Sequence, residues 1–118
     1  FIDPSDPEGI PQVLEDAFAK APDIEYVVMF NSRIHLISDF LTRHPNPRRR
    51  VIGFDNLDRN MDALSRGGVD ILISQHTEDQ ARFAVDALFE YILMQKVPAN
   101  RDNYMHMDIL TRLNLENY

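Results

Sequence analysis

Three short apolar runs punctuate the chain: Tyr26-Val27-Val28-Met29-Phe30, Val51-Ile52-Gly53-Phe54 and Ile71-Leu72-Ile73. Each is rich in β-branched or aromatic residues and too short for a helix, so each predicts a buried strand. The runs are continuous rather than alternating, which suits parallel strands covered on both faces. Helical spacing fills the intervals. Val13, Leu14, Ala17 and Phe18 recur on one face across residues 11–21, with Pro11 in a first turn where its missing N–H costs nothing. Ile34, Ile37, Phe40 and Leu41 form the stripe of a helix over residues 32–43, which His44-Pro45-Asn46-Pro47 ends. Residues 56–66 predict a shorter helix capped by Gly67-Gly68.

The longest helical stretch covers residues 77–95. Thr77 is its expected N-cap, with Gln80 three positions on as in a capping box. Ala81, Ala84, Leu88, Tyr91 and Ile92 line one face, and Lys96-Val97-Pro98 closes it. Residues 104–111 alternate Met105, Met107 and Ile109 with His106, Asp108 and Leu110, the pattern of a weaker edge strand. The order α-β-α-β-α-β-α-β predicts a three-layer α/β/α fold with a mainly parallel sheet. The proline-rich opening, Asp3-Pro4-Ser5-Asp6-Pro7, reads as a loop or a cut connection.

A chain of 118 residues is one domain or part of one. Its formal net charge of −7 argues against direct contact with nucleic acid, which needs clustered Lys and Arg. The absence of cysteine excludes a disulfide scaffold, a thiolate zinc site and a Cys nucleophile. No apolar run approaches the roughly 18 residues of a membrane span, so no membrane partner is expected. The chain opens on Phe1 rather than Met, and the native N-terminus is expected to lie upstream.

Each apolar run ends in a polar residue: Asn31 after Phe30, Asp55 after Phe54, Gln75 after Ser74. The carboxyl ends of parallel strands share one edge, where ligands bind in open α/β folds. An amide, a carboxylate and a second amide are therefore expected to gather there. The set suits a neutral polyol. A carboxylate accepts hydrogen bonds from adjacent hydroxyls, and an amide both donates and accepts. Asn and Asp in such positions also cap the following helix, and one residue can do both. Nothing in the trio resembles a nucleophile and its base.

These segments also carry a family resemblance. Val28-Met29-Phe30-Asn31, Val51-Ile52-Gly53-Phe54-Asp55-Asn56, Ile71-Leu72-Ile73-Ser74-Gln75 followed by Asp79-Gln80-Ala81, and Leu110-Thr111-Arg112-Leu113-Asn114 together resemble the C-terminal part of the sugar-sensing domain shared by lac-repressor-family transcription regulators and periplasmic sugar-binding proteins. The Gly53-Phe54-Asp55 element carries most of the specificity. The resemblance implies a partial lobe of the type I periplasmic-binding-protein-like fold, which is Rossmann-like. It implies a sugar site at Asn31, Asp55 and Gln75, with Asp55 holding hydroxyls. It also implies a first lobe and a DNA-binding headpiece outside residues 1–118, and a helix over 77–95 that packs on the other lobe. Many relatives have Asn-Asp where this chain has Asn31-Ser32. Arg33 then joins the candidates: in the crevice it would select an acidic or phosphorylated sugar, and otherwise it is a surface residue on a first helical turn.

Other signals point elsewhere. Arg48-Arg49-Arg50 reads as a solvated turn among acidic neighbours. His35, His44, His76 and His106 show no metal-ligand spacing and read as surface or lightly packed residues. Asn56, Asp58, Asn60 and Asp62 alternate like a calcium loop but lack its central Gly, so they read as the polar side of a helix. The expectation is a sugar-sensing domain of a cytoplasmic regulator, homodimeric, touching DNA only through its headpiece. No enzymatic activity, cofactor or metal is expected. The alternative is a periplasmic sugar-binding protein serving ABC transport or membrane signalling.

Overall fold

The computed structural model describes residues 9–118, so the proline-rich opening lies outside the described residues. The elements are α1 (Ile10–Lys20), β1 (Tyr26–Val28), α2 (Ile34–Arg43), β2 (Arg50–Phe54), α3 (Asp58–Ser65), β3 (Ile71–Ser74), α4 (Thr77–Met94), β4 (Asp108–Leu110) and a closing 3₁₀ turn, Leu115–Asn117. The strands form one sheet in the order β1-β2-β3-β4. The first two pairings are parallel, with Val27 beside Val51 and Gly53 beside Leu72. The edge strand β4 runs antiparallel to β3, with Leu110 beside Leu72.

Helices α1, α2 and α3 pack together over one face of the sheet. Their stripes supply Ile10, Leu14, Ile34, Ile37, Phe40, Leu41, Ala63 and Leu64 to a core completed by Val51, Val69, Leu72 and Leu110. Gly53 is required at the centre of this interface. A Cβ there would lie 2.6 Å from Ile34 Cγ2, so the absence of a side chain lets α2 settle onto β2. Gly67, at φ +78, turns the chain out of α3, as its position after that helix predicts.

On the other face the runs are less covered. Ile52, Phe54, Ile71 and Ile73 are half-buried, and Tyr26, Val28 and Ile109 are exposed. Helix α4 has no buried residue. The radius of gyration, 18.2 Å, exceeds the about 13 Å of a compact chain of this size, in keeping with a helix that stands away from the core.

Two local expectations change. Thr77 is the first residue of α4 rather than its cap: the N-cap is His76, in the left-handed region at φ 51, and no side chain caps the helix. Gln80 instead turns its amide back to the Gln75 carbonyl. The Asn56–Asp62 series is not uniformly solvent-facing either, because Asn60 is wholly buried. Of the three arginines, Arg49 lies 4.5 Å over the Phe18 ring and donates to the His44 carbonyl, so this turn serves packing as well as solvation.

Candidate functional site

The carboxyl edge of the sheet brings the predicted trio to one rim. Met29 N–H bonds to the Ile52 carbonyl, so β1 pairs beyond its last assigned residue. Phe30 and Phe54 then meet with ring centroids 5.7 Å apart. That contact holds the ends of β1 and β2 side by side, immediately before Asn31 and Asp55. Asp55 N–H bonds to the Ile73 carbonyl, which carries the next strand end alongside. There Gln75 Nε2 donates to Asp55 Oδ1 at 3.2 Å.

Each residue is held differently. Asp55 has a left-handed backbone, φ 67, which few residues other than glycine adopt and which Asp tolerates better than most. Asn31 is exposed, and its Oδ1 accepts the backbone N–H of Arg33 at 3.0 Å. Asn31 thus forms an Asx turn ahead of α2 and does not cap it, since the N-cap is Arg33 and no side chain caps this helix. Arg33 is exposed and stands at the N-cap of α2.

The support beneath the rim is a residue the sequence pattern concealed. Asn60, on α3, donates its Nδ2 to the carbonyls of Ser32, Phe54 and Asp55 at 2.9, 3.1 and 3.0 Å. Its Oδ1 accepts from His35 N–H and faces His35 Nδ1 at 2.9 Å. One buried amide thus joins the β1–α2 and β2–α3 connections. An Asn in a polar-looking helix start gave no signal of this. Phe30, 82% exposed at the strand end, is a second addition, since its sequence position predicted only a strand residue.

Neither of two hollows near the rim takes in all three predicted residues. One, about 680 Å³, opens at the starts of α3 and α4 between Asn56, Leu57, His76, Asp79 and Tyr118. Gln75 lines a smaller one of about 340 Å³ with Gln80, Phe83 and Tyr104. Asn31, Asp55 and Gln75 sit on an open rim beside these hollows. The geometry offers a carboxylate with one oxygen already oriented, two amides and an exposed aromatic face. A polyol can be hydrogen-bonded through its hydroxyls and covered on its C–H side there.

The histidines are not all scattered. β4 brings His106 and Asp108 to His76, a grouping that residue spacing did not reveal. Among the described residues, no helix is long and apolar enough to cross a membrane.

No family model and no curated sequence matches the chain. Solved structures do. A candidate LacI transcriptional regulator from Bacteroides fragilis is 32% identical, with a TM-score of 0.81, over 92% of this chain and 37% of that one. A periplasmic solute-binding protein of an ABC transporter from Actinobacillus succinogenes, bound to D-allose, is 17% identical with a TM-score of 0.79, over 95% of this chain and 39% of that one. A carbohydrate-transporter solute-binding protein from Agrobacterium radiobacter, in complex with D-arabinose, is 20% identical with a TM-score of 0.77, over 90% of this chain and 36% of that one. The chain spans well under half the length of each. These likenesses establish the fold as a partial lobe of the type I periplasmic-binding-protein-like kind, a mainly parallel sheet flanked by helices.

Proposed function

We propose, from the likeness to a LacI-type regulator, that this chain is the C-terminal portion of the sugar-sensing domain of a lac-repressor-family transcription regulator. The observation that carries the reading is the hydrogen bond between Gln75 and Asp55 at the carboxyl edge of the sheet. It fixes a carboxylate in place, with its second oxygen available to hydroxyl donors. Bonds to that charged acceptor would be stronger than neutral ones. Asn31 would donate through its amide nitrogen, Gln75 would orient the ring, and Phe30 would cover an apolar sugar face. Arg33, on the same edge, would set the preference between neutral and acidic or phosphorylated sugars.

The role is binding rather than catalysis. Sugar held between this rim and a facing lobe would favour a closed form over an open one. Such a ligand shifts the equilibrium only by its differential affinity for the two forms. DNA affinity in a headpiece outside residues 1–118 would change by the same coupling. The protein would act in the cytoplasm as a homodimer, and the long helix α4 would pack against the rest of the domain.

A second reading, a periplasmic sugar-binding protein for ABC transport or membrane signalling, draws on the allose- and arabinose-bound structures that share the fold. The 32% identity to the regulator, against 17% and 20% to the transport proteins, favours the first. The intact gene product decides between them. A gel shift with DNA from upstream of its own gene, altered by one of a panel of hexoses and pentoses, is the expected result. A signal peptide together with no affinity for DNA would replace the first reading with the second.

A further inference from the structure

Beside the sugar-facing rim, the antiparallel edge strand gathers a different set of side chains. Register places Ser74 of β3 opposite Asp108 of β4. His76, two residues beyond Ser74, reaches across so that its Nε2 lies 2.8 Å from Asp108 Oδ2. His106, two residues before Asp108, lays its ring against that of His76 with centroids 4.1 Å apart. One donor atom from each of the three residues lies within 4.8 Å of the other two. The remaining nitrogen of His76, Nδ1, faces Asp79 Oδ2 at 3.5 Å. The His76 side chain is only 16% exposed, while His106 is open to solvent.

We propose that His76, His106 and Asp108 form a binding site for a divalent cation of the zinc class. Two imidazoles and one carboxylate are a donor set that zinc takes, with water in the fourth position of a tetrahedron. Bonds of about 2.0–2.1 Å to such donors hold the ligand atoms roughly 3.3 Å apart. The 2.8 Å pair opens slightly to admit the ion, and the exposed His106 ring swings in to complete it. Asp79 is the positioning residue: a carboxylate on the far nitrogen fixes the tautomer and orientation of a ligating histidine. His76 is held in the left-handed region at φ 51, and such backbone strain concentrates at ligand sites. The site is independent of the sugar-sensing reading. A bound ion would tie the three-residue strand β4 to the start of α4.

The test uses the intact protein, stripped with a chelator and titrated with Zn²⁺ alone by calorimetry and with Co²⁺ alone by visible absorption. One equivalent should bind, with the intense visible bands of tetrahedral cobalt. His106→Ala and Asp108→Asn should each weaken binding by about tenfold or more, and Asp79→Asn by about tenfold. His44→Ala, whose ring packs on Phe40, should leave it unchanged. His106 is exposed, so metal-free His106→Ala should melt as the parent does, and Zn²⁺ should raise the Tm of the parent alone. No saturable binding of one equivalent, or equal binding by the parent, His106→Ala and Asp108→Asn, would overturn the site and leave only a His–Asp hydrogen bond.

Discussion

The buried side-chain amide of Asn60 donates to the main-chain carbonyl of Asp55 across 3.0 Å. Since the same amide also serves Phe54 and Ser32, it anchors the loop ends from which Asp55 and Asn31 project. The left-handed backbone at Asp55 is thereby held from inside the fold.

Replacing Asn60 by Leu should cost about 3 kcal/mol of stability, because carbonyls it now satisfies would be buried without donors. Urea denaturation reads this directly. A midpoint equal to that of the parent would show that the amide network is dispensable.

Gly53 permits the contact between β2 and α2. In Gly53→Ala the new Cβ would sit 2.6 Å from Ile34 Cγ2 and closer than 3.0 Å to two further Ile34 carbons. Overpacking of this kind should destabilise by about 1–3 kcal/mol. The variant should lower the urea midpoint without changing the slope, and on an Ile34→Ala background, which lacks both γ carbons, part of that loss should be recovered. No recovery would mean that the strain lies elsewhere.

Much of this arrangement was legible in the chain. Val51, Ile52 and Phe54 announced a strand by composition, and the polar residue after each run announced the rim, because parallel strands end together. What escaped was non-local. Asn60 looked like its solvent-facing neighbours Asp58 and Asp62, and only the approach of two loops buries it. His76 and Asp108 are far apart in sequence and meet through the β3–β4 register, which no spacing rule encodes. Thr77 lost the cap position because the turn before α4 passes through the left-handed region at His76, which places the helix start one residue earlier, at Thr77 itself.

Helix α4 exposes Phe83, Val85, Leu88, Phe89, Tyr91, Ile92, Leu93 and Met94. A helix apolar on most of its circumference belongs in a buried setting. Residues 1–118 produced alone should therefore self-associate, and Leu88→Glu with Phe89→Glu should reduce that association. Light scattering that finds a clean monomer at high concentration for the unaltered segment would contradict this account of α4.

The proposed sugar site at this rim is tested most directly by calorimetry on the full-length protein with the tightest binder from a panel of hexoses and pentoses. Asp55→Ala should weaken affinity by roughly 2–5 kcal/mol, since ligand hydroxyls lose their charged acceptor inside a closed site. Gln75→Ala should cost less, about 1 kcal/mol, because it removes a neutral contact and the partner that orients Asp55. An Asp55→Ala protein that binds the sugar as tightly as the parent would contradict the assignment of this edge as the sugar site.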